Sequence, residues 1–371
     1  MAPDRKGISL LAVAGRFARL GVIGFGGPAA HVALMHREFV KRLHWIDEKR
    51  FLDHFAMTNL IPGPNSTELA MILGKEAAGL PGLIVAGASF IIPAATIVLA
   101  LAYAYVEYGS TPAGEGLMYG IEPVVIAVVL HALIDLGRES LRRTSLATIA
   151  IGAATAYLLG VNELLVLFAG GIVMLLPRIT RSNAVIALPL GTFAAASAND
   201  ISLERLFLLF FKIGAVLYGS GYVLLAFLRG DLVERLGWLT EQQLIDAVAV
   251  GQFTPGPVFT TATFIGYVVA GLWGAALATA GIFIPSFLFA AVVGHLGPRL
   301  RERPSTAAFL DGLTAAALGL MAGVLWQLGR GAIVDPVTAG LALAALVVLV
   351  RFEVNSVWLI VVGAAVGLAL A

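Results

Sequence analysis

Long uncharged apolar stretches recur along the chain, separated by short polar segments. A helix that crosses a bilayer needs about 20 predominantly apolar residues. The clearest stretches are Leu83 to Tyr105 and Leu272 to Leu296. Shorter ones are Pro123 to Ile134, Ser145 to Gly160, Leu164 to Leu176, Thr314 to Trp326, Val337 to Val350 and Val357 to Ala371. This pattern predicts an all-α integral membrane protein with many membrane segments.

The apolar stretches occur in the same order twice, which indicates a duplicated module. Pro62-Gly63-Pro64 in the first half matches Pro255-Gly256-Pro257 in the second. Along the rest of the two halves, the alignment of matching residues shifts by only one residue at a time. Each half has room for about five to six membrane segments. We therefore predict three units, namely a first membrane repeat (1–181), a linker (182–201) and a second membrane repeat (202–371).

The loop arginines indicate that the two repeats have opposite orientations in the membrane, because short cytoplasmic loops collect lysine and arginine. The loop 107–116 has neither residue, whereas its counterpart in the second repeat is rich in arginine. In the next pair of loops, the loop of the first repeat has more arginines than its counterpart in the second. The loop arginines are Arg138, Arg142 and Arg143 in the first repeat and Arg299, Arg301, Arg303 and Arg330 in the second. The reversal predicts inverted-topology repeats, with a transport site at the repeat interface.

Composition agrees with a lipid environment and excludes several classes of protein. The chain is 59% apolar and 13% charged, whereas a soluble domain has about 25% charged residues. Its 24 Lys and Arg oppose 23 Asp and Glu, so no basic field exists for nucleic acid. It lacks cysteine, His-Glu-x-x-His and Gly-x-Ser-x-Gly, the signatures of thiolate, zinc and serine-hydrolase sites. We predict no metal, no cofactor and no enzymatic activity, with a membrane-embedded enzyme as a distant alternative.

Glycine and proline interrupt the apolar segments at four places. The glycine-rich stretches are Gly24 to Pro28 and Tyr218 to Gly221, and each repeat also has its Pro-Gly-Pro. Non-helical backbone at membrane depth survives only when it is buried in protein or lines a wet cavity. We therefore expect broken or re-entrant helices whose ends converge. The N-terminus of a half-helix has about +0.5 elementary charge and unpaired amides, which suits an anion.

The candidate substrate-binding residues lie at these breaks. They are Gly26, Gly27, Pro62, Gly63, Pro64, Asn65, Ser66 and Thr67 in the first repeat, and Ser220, Gly221, Thr254, Pro255, Gly256, Pro257 and Thr260 in the second. Two helix ends supply about +1, too little for a divalent oxyanion in a low dielectric. Lys75, Arg19 and Lys212 are the candidate cations that would complete the site. The alternative is that these long side chains extend to the membrane surface.

Local capping is a second interpretation of the polar residues at the breaks. Asn65 and Glu68 have the spacing of a helix cap, which would satisfy the amides internally. The second repeat has Val258 and Phe259 where the first has Asn65 and Ser66, so we expect the Pro257 end to be the better anion site. Hydroxyl groups in membrane helices also bond to their own backbone.

Glu68 is the candidate for proton coupling, because a buried carboxyl is costly when charged. We assign His31 and His36 to packing or to the surface, and Glu122 to the edge of a span. The charged stretch His36 to Arg50 is typical of an amphipathic helix at the membrane surface.

Three segments resemble a known family when they are taken together. They are Phe25 to His31, Pro62 to Ala70 followed by Gly74, and Gln252 to Pro257 followed by Gly266-Tyr267. Their combination, over essentially the whole chain, resembles the chromate ion transporter family in its long, two-domain form.

The resemblance implies a multi-pass protein of the inner (plasma) membrane that exports chromate, driven by the membrane electrochemical gradient, and so confers chromate resistance. Its partners would be a small oxyanion and the lipid bilayer, and a homodimer stays open. Two departures from the family pattern bear on the site, because Tyr218 to Gly221 is not a glycine run and Lys75 stands opposite Tyr267. The alternative substrate is sulfate or another tetrahedral oxyanion, taken up or exchanged, since sulfate has the shape and charge of chromate.

Overall fold

A computed structural model describes residues 8–179, 201–218, 221–301, 303–352 and 354–371, and these residues contain helices and no strand. The predicted linker, except its last residue, and Ser220 lie outside them. The helices are α1 (Leu10–Ile23), α2 (Gly27–Met35), α3 (Glu48–Thr58), α4 (Asn65–Tyr108), α5 (Pro112–Ser140), α6 (Thr144–Leu158), α7 (Glu163–Ile179), α8 (Leu203–Val216), α9 (Leu224–Leu228), α10 (Glu241–Phe253), α11 (Thr261–Arg301), α12 (Pro304–Ala332), α13 (Pro336–Phe352) and α14 (Ser356–Leu370). The prediction of an all-α protein is confirmed.

Four of the described helical segments are long and apolar enough to cross a bilayer. They are α4, α5, α12 and the segment Val258–Val293, which contains most of α11. The apolar helices α6, α13 and α14 and the segment Glu163–Leu176 are shorter. These helices coincide with the apolar stretches of the sequence, because a segment in lipid must satisfy its backbone internally.

Helix α4 doubles back on itself at Ala78-Gly79. Gly79 has φ 69° and ψ −158°, a conformation that is accessible essentially only to glycine. Beyond this point Gly82 lies against Gly74, and a Cβ on Gly87 would come within 2.9 Å of Met71 Cγ. Residues eight apart in a straight helix would be about 12 Å apart. The first part of α4 is therefore a short half-helix that lies antiparallel to the second.

Helix α11 reverses in the same way at its equivalent position. Ala270-Gly271 has the same backbone conformation, with Gly271 at φ 62° and ψ −153°. Gly266 and Gly274 then lie in contact, as Gly74 and Gly82 do in α4. The duplicated sequence therefore produces a duplicated hairpin of helices.

Each repeat completes the packing of the other. Helix α5 packs mainly on α13 and α14, and its equivalent α12 packs mainly on α6 and α7. The backbones touch where glycines face each other, Gly120 against Gly363 and Gly170 against Gly312. Small residues allow this close approach, which supplies the contact between helices in lipid.

The equivalent long helices of the two repeats run in opposite directions. In the arms that follow the two reversals, a Cβ on Gly87 of α4 would lie 2.7 Å from the ring of Phe287 in α11. The ring of the later residue Tyr103 lies 6.5 Å from that of the earlier Tyr267, which the contact of Gly266 with Gly274 places beside the start of the second arm of α11. In α5 and α12, Tyr119 bonds to Asp335 just after α12, and the later residue Ile126 lies beside the earlier Gly329. Both pairs are therefore antiparallel.

The charged stretch from 36 to 50 is not one amphipathic helix, so that prediction is wrong. Helix α2 continues as a wider π-helical turn, His36–Arg42, and the chain then bends at His44, which has φ 50°. Asp47 caps the next helix by accepting the Arg50 amide at 2.9 Å. A matching π-helical turn, Arg229–Arg235, follows α9 in the second repeat.

Candidate anion-binding site

The four helix breaks meet through two crosswise hydrogen bonds. The amide of Gly63 donates to the carbonyl of Leu217 at 2.8 Å, and the amide of Gly256 donates to the carbonyl of Gly24 at 2.8 Å. Each Pro-Gly-Pro loop thus bonds to the glycine break of the other repeat. The predicted convergence of the breaks is present in the described residues.

Glycine is required at the centre of both Pro-Gly-Pro loops. Gly63 has φ 131° and Gly256 has φ 89°, a region that side chains disfavour. A Cβ on Gly256 would lie 2.5 Å from Ala94 Cβ, and a Cβ on Gly63 would collide with Glu68 Oε1 and Ser286 Oγ. The loops therefore lie directly against α4 and α11.

Helix α4 begins immediately after the first loop and presents free amides there. Pro64 is its N-cap residue and supplies no side-chain cap. The amides of Thr67 and Glu68 bond to the Pro64 carbonyl, at 2.8 and 3.1 Å. The helix-end donors are thus the amides of Asn65 and Ser66.

The capping interpretation of Asn65 and Glu68 is wrong. Asn65 Nδ2 donates to Asn59 Oδ1 at 2.7 Å, across the break. The Glu68 carboxyl lies against Gly63, and neither of its oxygens accepts a hydrogen bond of good geometry from the amides at the helix end. The amides at the start of α4 are therefore not satisfied by the side chains that the sequence offers for that purpose.

The first turn of α4 and one residue of α11 form a buried polar cluster, which we define as Ser66, Thr67, Glu68 and Ser286. Among the described residues, Thr67 Oγ1, Ser286 Oγ and both Glu68 oxygens have no hydrogen-bond partner of good geometry. Buried polar atoms are nearly always paired. Such a concentration of unpaired atoms at the repeat interface is therefore a candidate ligand site. The sequence could not reveal Ser286, which lies more than 200 positions from the others.

In the described residues of the second repeat, the hydroxyl groups at the equivalent positions bond to their own backbone instead of forming such a cluster. Thr254, Thr260 and Thr261 donate to the carbonyls of Val250, Pro257 and Val258 at 3.0, 2.8 and 2.8 Å. In the repeat alignment, Thr261 stands where the first repeat has Glu68, and Ala94 stands where the second repeat has Ser286. The geometry therefore favours the Pro64 end over the Pro257 end, the reverse of the expectation from sequence.

A cavity of about 550 Å³ opens beside the second Pro-Gly-Pro loop. Its walls come from α1, α4 and α14 and include Val22, Phe25, Ile97 and Trp358, with the hydroxyl of Thr254 already bonded to its own helix. A tetrahedral oxyanion would fit this volume. Apolar walls cannot replace its hydration, however, and such a transfer is costly, so we do not place the anion there.

The three candidate cations do not join the buried polar cluster. Lys75 Nζ donates to the Ala291 carbonyl at 2.6 Å, about 15 Å along the helix from Asn65. Arg19 is exposed on α1. Lys212 forms an ion pair with Asp231. The role of each cation in anion binding remains a prediction, but the contacts in the structure give Lys75 and Lys212 structural partners.

The ion pair of Lys212 belongs to a motif that both repeats share. Asp231 of the second π-helical turn accepts from Lys212 and also pairs with Arg235 at 2.8 Å. In the first repeat, Glu38 pairs with Arg16 of α1 at 3.3 Å and with Arg42 at 2.9 Å. In each repeat, these ion pairs link the π-helical turn to the first helix.

Two buried polar residues have hydrogen-bond partners that the sequence does not indicate. His31 lies in the site itself, with Nδ1 3.1 Å from Ser66 Oγ. Glu122 is buried, and its carboxyl accepts from Gln242 Nε2 at 2.5 Å. The position of His31 four residues after Gly27, on the helix that leaves the break, is the sequence signal that could have identified it.

Comparison with known proteins places these features in a family. The model of the chromate transporter family matches residues 11–175 and 204–368, one match for each repeat. The chromate transport protein of Cupriavidus metallidurans is 35% identical, over 94% of this chain and 90% of that protein. A probable chromate transport protein of Synechococcus elongatus is 34% identical, over 89% and 87%. The chromate transport protein of Pseudomonas aeruginosa is 31% identical, over 82% and 78%. No solved structure matches the chain.

The relatives span nearly the whole chain, and the family model covers both repeats, including the four helix breaks and the polar cluster of α4. This chain therefore belongs to the chromate transporter family.

Proposed function

We propose that this protein is a secondary transporter that exports chromate across the inner membrane, driven by the membrane electrochemical gradient. The family and the apolar helices support a membrane transporter of an oxyanion. The observation that carries the proposal is the crosswise bonding of the four helix breaks, from Gly63 to Leu217 and from Gly256 to Gly24. It puts unpaired polar groups at the interface between the repeats, where transporters with internal repeats bind their substrates.

The two repeats have inverted topology in this proposal. The antiparallel course of α4 relative to α11, and of α5 relative to α12, supports this relation. The reversals at Gly79 and Gly271 support re-entrant half-helices. Transport would then proceed as one repeat rocks against the other around the polar cluster.

The substrate oxyanion is held at the start of α4. The amides of Asn65 and Ser66 and the hydroxyls of Thr67 and Ser286 are its donors. The partial positive charge of the helix end favours an anion there. The Pro-Gly-Pro loops and Gly26, Gly27 and Gly221 let the backbone approach closely.

Glu68 couples transport to protons. A charged carboxylate beside an oxyanion is repulsive, whereas a protonated carboxyl donates a hydrogen bond. The anion therefore binds together with a proton on Glu68. The burial of this carboxyl without a cationic partner among the described residues supports the role.

Flux measurements in liposomes test the proposal. The purified protein is reconstituted, and the movement of chromate and of sulfate is measured with and without imposed pH and voltage gradients. We expect gradient-driven chromate movement. Movement of neither anion would refute the proposal, and movement of sulfate alone would replace chromate by sulfate as the substrate.

A pair of threonine variants tests the position of the site. Thr67→Val removes an unpaired hydroxyl, and Thr254→Val removes one that is bonded to its own helix. A hydrogen bond to a charged group contributes about 1.5–3 kcal/mol, so Thr67→Val should lower chromate flux roughly 10- to 100-fold when substrate is below saturation. Thr254→Val serves as the matched control and should change flux little. Equal losses would contradict the placement at α4.

A further inference from the structure

His31 lies buried between the first helix break and the start of α4. It is 1% exposed. Its Nε2 lies 2.8 Å from the Gly24 carbonyl oxygen and its Nδ1 lies 3.1 Å from Ser66 Oγ. The edge of its ring meets Phe90, with the ring centroids 5.4 Å apart. The imidazole thus connects the backbone at the break to a residue of the anion site.

The two hydrogen bonds fix the tautomer of the neutral imidazole. A carbonyl oxygen can only accept, so Nε2 must carry the hydrogen that it donates to Gly24. Nδ1 then has a lone pair, and the hydroxyl of Ser66 must donate to it. In this state the only hydroxyl hydrogen of Ser66 is used by His31 and cannot reach an anion.

Protonation of His31 reverses the bond to Ser66. The imidazolium has a hydrogen on both nitrogens, so Nδ1 donates to Ser66 Oγ. The hydroxyl hydrogen of Ser66 must then turn away from His31. Ser66 belongs to the first turn of α4, and its backbone amide is one of the helix-end donors. The released hydroxyl hydrogen therefore becomes a further donor to an anion at that end.

We propose that His31 is a positioning residue that binds a proton and thereby converts Ser66 into a donor to the bound oxyanion. The inference rests on the proposed function and adds a second proton site to Glu68. An imidazolium is costly at a buried position without an anion nearby. By linkage, the anion therefore favours the proton, and the proton favours the anion to the same degree. The proton comes from the solution that supplies the anion, and no covalent bond changes.

Several charged groups lie on the helices that pack against the helix of His31. Helix α2 packs against α1, α4 and its own continuation, the π-helical turn. The titratable groups of these elements, tyrosines included, are Arg16, Arg19, His36, Arg37, Glu38, Lys41, Arg42, Glu68, Lys75, Glu76, Tyr103, Tyr105, Glu107 and Tyr108. Arg16 and Arg42 both pair with Glu38, and His36 and Lys41 both pair with Glu48. Within the polar cluster the other titratable group is Glu68, so an experiment must separate His31 from it.

Calorimetry of chromate binding tests the inference. The purified protein in detergent is titrated with chromate in buffers of different ionisation enthalpy, and the slope of the heat against that enthalpy counts the protons taken up. The matched variant is His31→Gln, whose amide can donate to Gly24 and accept from Ser66 but cannot take up a proton. We expect the wild type to take up about one proton more per bound chromate than His31→Gln does. The protonation of chromate itself cancels in this difference.

A second variant keeps the test decisive if His31→Gln binds no chromate. In Glu68→Gln, His31 is the remaining titratable group of the site, so proton uptake should persist at a pH where chromate is fully deprotonated. Equal uptake by wild type and His31→Gln, or no uptake by Glu68→Gln, would overturn the role of His31. Either result with normal chromate flux would leave the proposed function intact, whereas a wild type that neither binds nor moves chromate would refute both.

Discussion

The ion pair between Lys212 and Asp231 separates a structural role of Lys212 from a role as anion ligand. We consider the variants Lys212→Met and Asp231→Asn, alone and together. The matched control is the equivalent pair of the first repeat, with Arg16→Met and Glu38→Gln. Both pairs join the first helix of a repeat to a π-helical turn.

The two pairs differ in burial, and this sets their expected contributions to stability. The side chains of Lys212 and Asp231 are 17% and 7% exposed, whereas those of Arg16 and Glu38 are 36% and 13% exposed. Removing one partner of a buried pair costs about 3–5 kcal/mol, because the other charge stays buried. Asp231 retains Arg235, so we expect about 3 kcal/mol for Lys212→Met. The control pair should contribute about 0.2–1 kcal/mol, as solvent screens Arg16.

Unfolding in detergent, followed as a double-mutant cycle, measures both couplings. We expect a coupling of about 2 kcal/mol for Lys212 and Asp231 and less for the control. Equal couplings would refute the reasoning from burial. Chromate flux in the same variants then assigns Lys212, because the double variant should recover flux if the lysine is structural and should stay inactive if it binds the anion.

Two further predictions concern the packing of α5. Gly120→Leu should lower the midpoint of thermal unfolding, at a cost of about 1–3 kcal/mol or more, because the leucine side chain would collide with the Gly363 backbone. The control is Gly152→Leu, which should change the midpoint little because Gly152 has open space around it. Equal shifts would contradict the contact between Gly120 and Gly363. The Tyr119 hydroxyl, which donates to Asp335 at 2.7 Å, holds the pKa of Asp335 below its usual value. The stabilisation is present above the ordinary pKa and is lost as the pH falls through the lowered one, so Tyr119→Phe should flatten the acid dependence of unfolding between pH 7 and about pH 3, and an unchanged profile would disprove the link.

The parts of the fold that follow from local sequence could be predicted. Apolar length identifies the spans, and a Pro-Gly-Pro, whose two prolines lack amide donors, must interrupt a helix. The reversal at Gly79 is not among the predicted helix breaks, although Lys75 and Glu76 before it and Pro81 after it interrupt the apolar pattern. It depends on contact between Gly74 and Gly82, which only the folded hairpin creates.

The site was predicted in outline but not in its asymmetry. Both Pro-Gly-Pro loops look equivalent in sequence, and only their surroundings distinguish them. Ser286 reaches Gly63 from the other repeat, while Gly256 meets the methyl group of Ala94. Contacts between residues so far apart depend on how the repeats dock, which no local pattern encodes. The bond of His31 to Ser66 spans 35 positions, so the sequence could not show it.

The exchanged packing of the repeats has a consequence for synthesis. Helix α5 meets α14 along Gly116, Gly120, Gly363 and Gly367, so its small-residue face has no partner until α14 has left the ribosome and entered the bilayer. The packing of α5 can therefore be completed only after the second repeat has been synthesised. Substitutions in α14 would accordingly expose the nascent amino-terminal half to quality-control proteases.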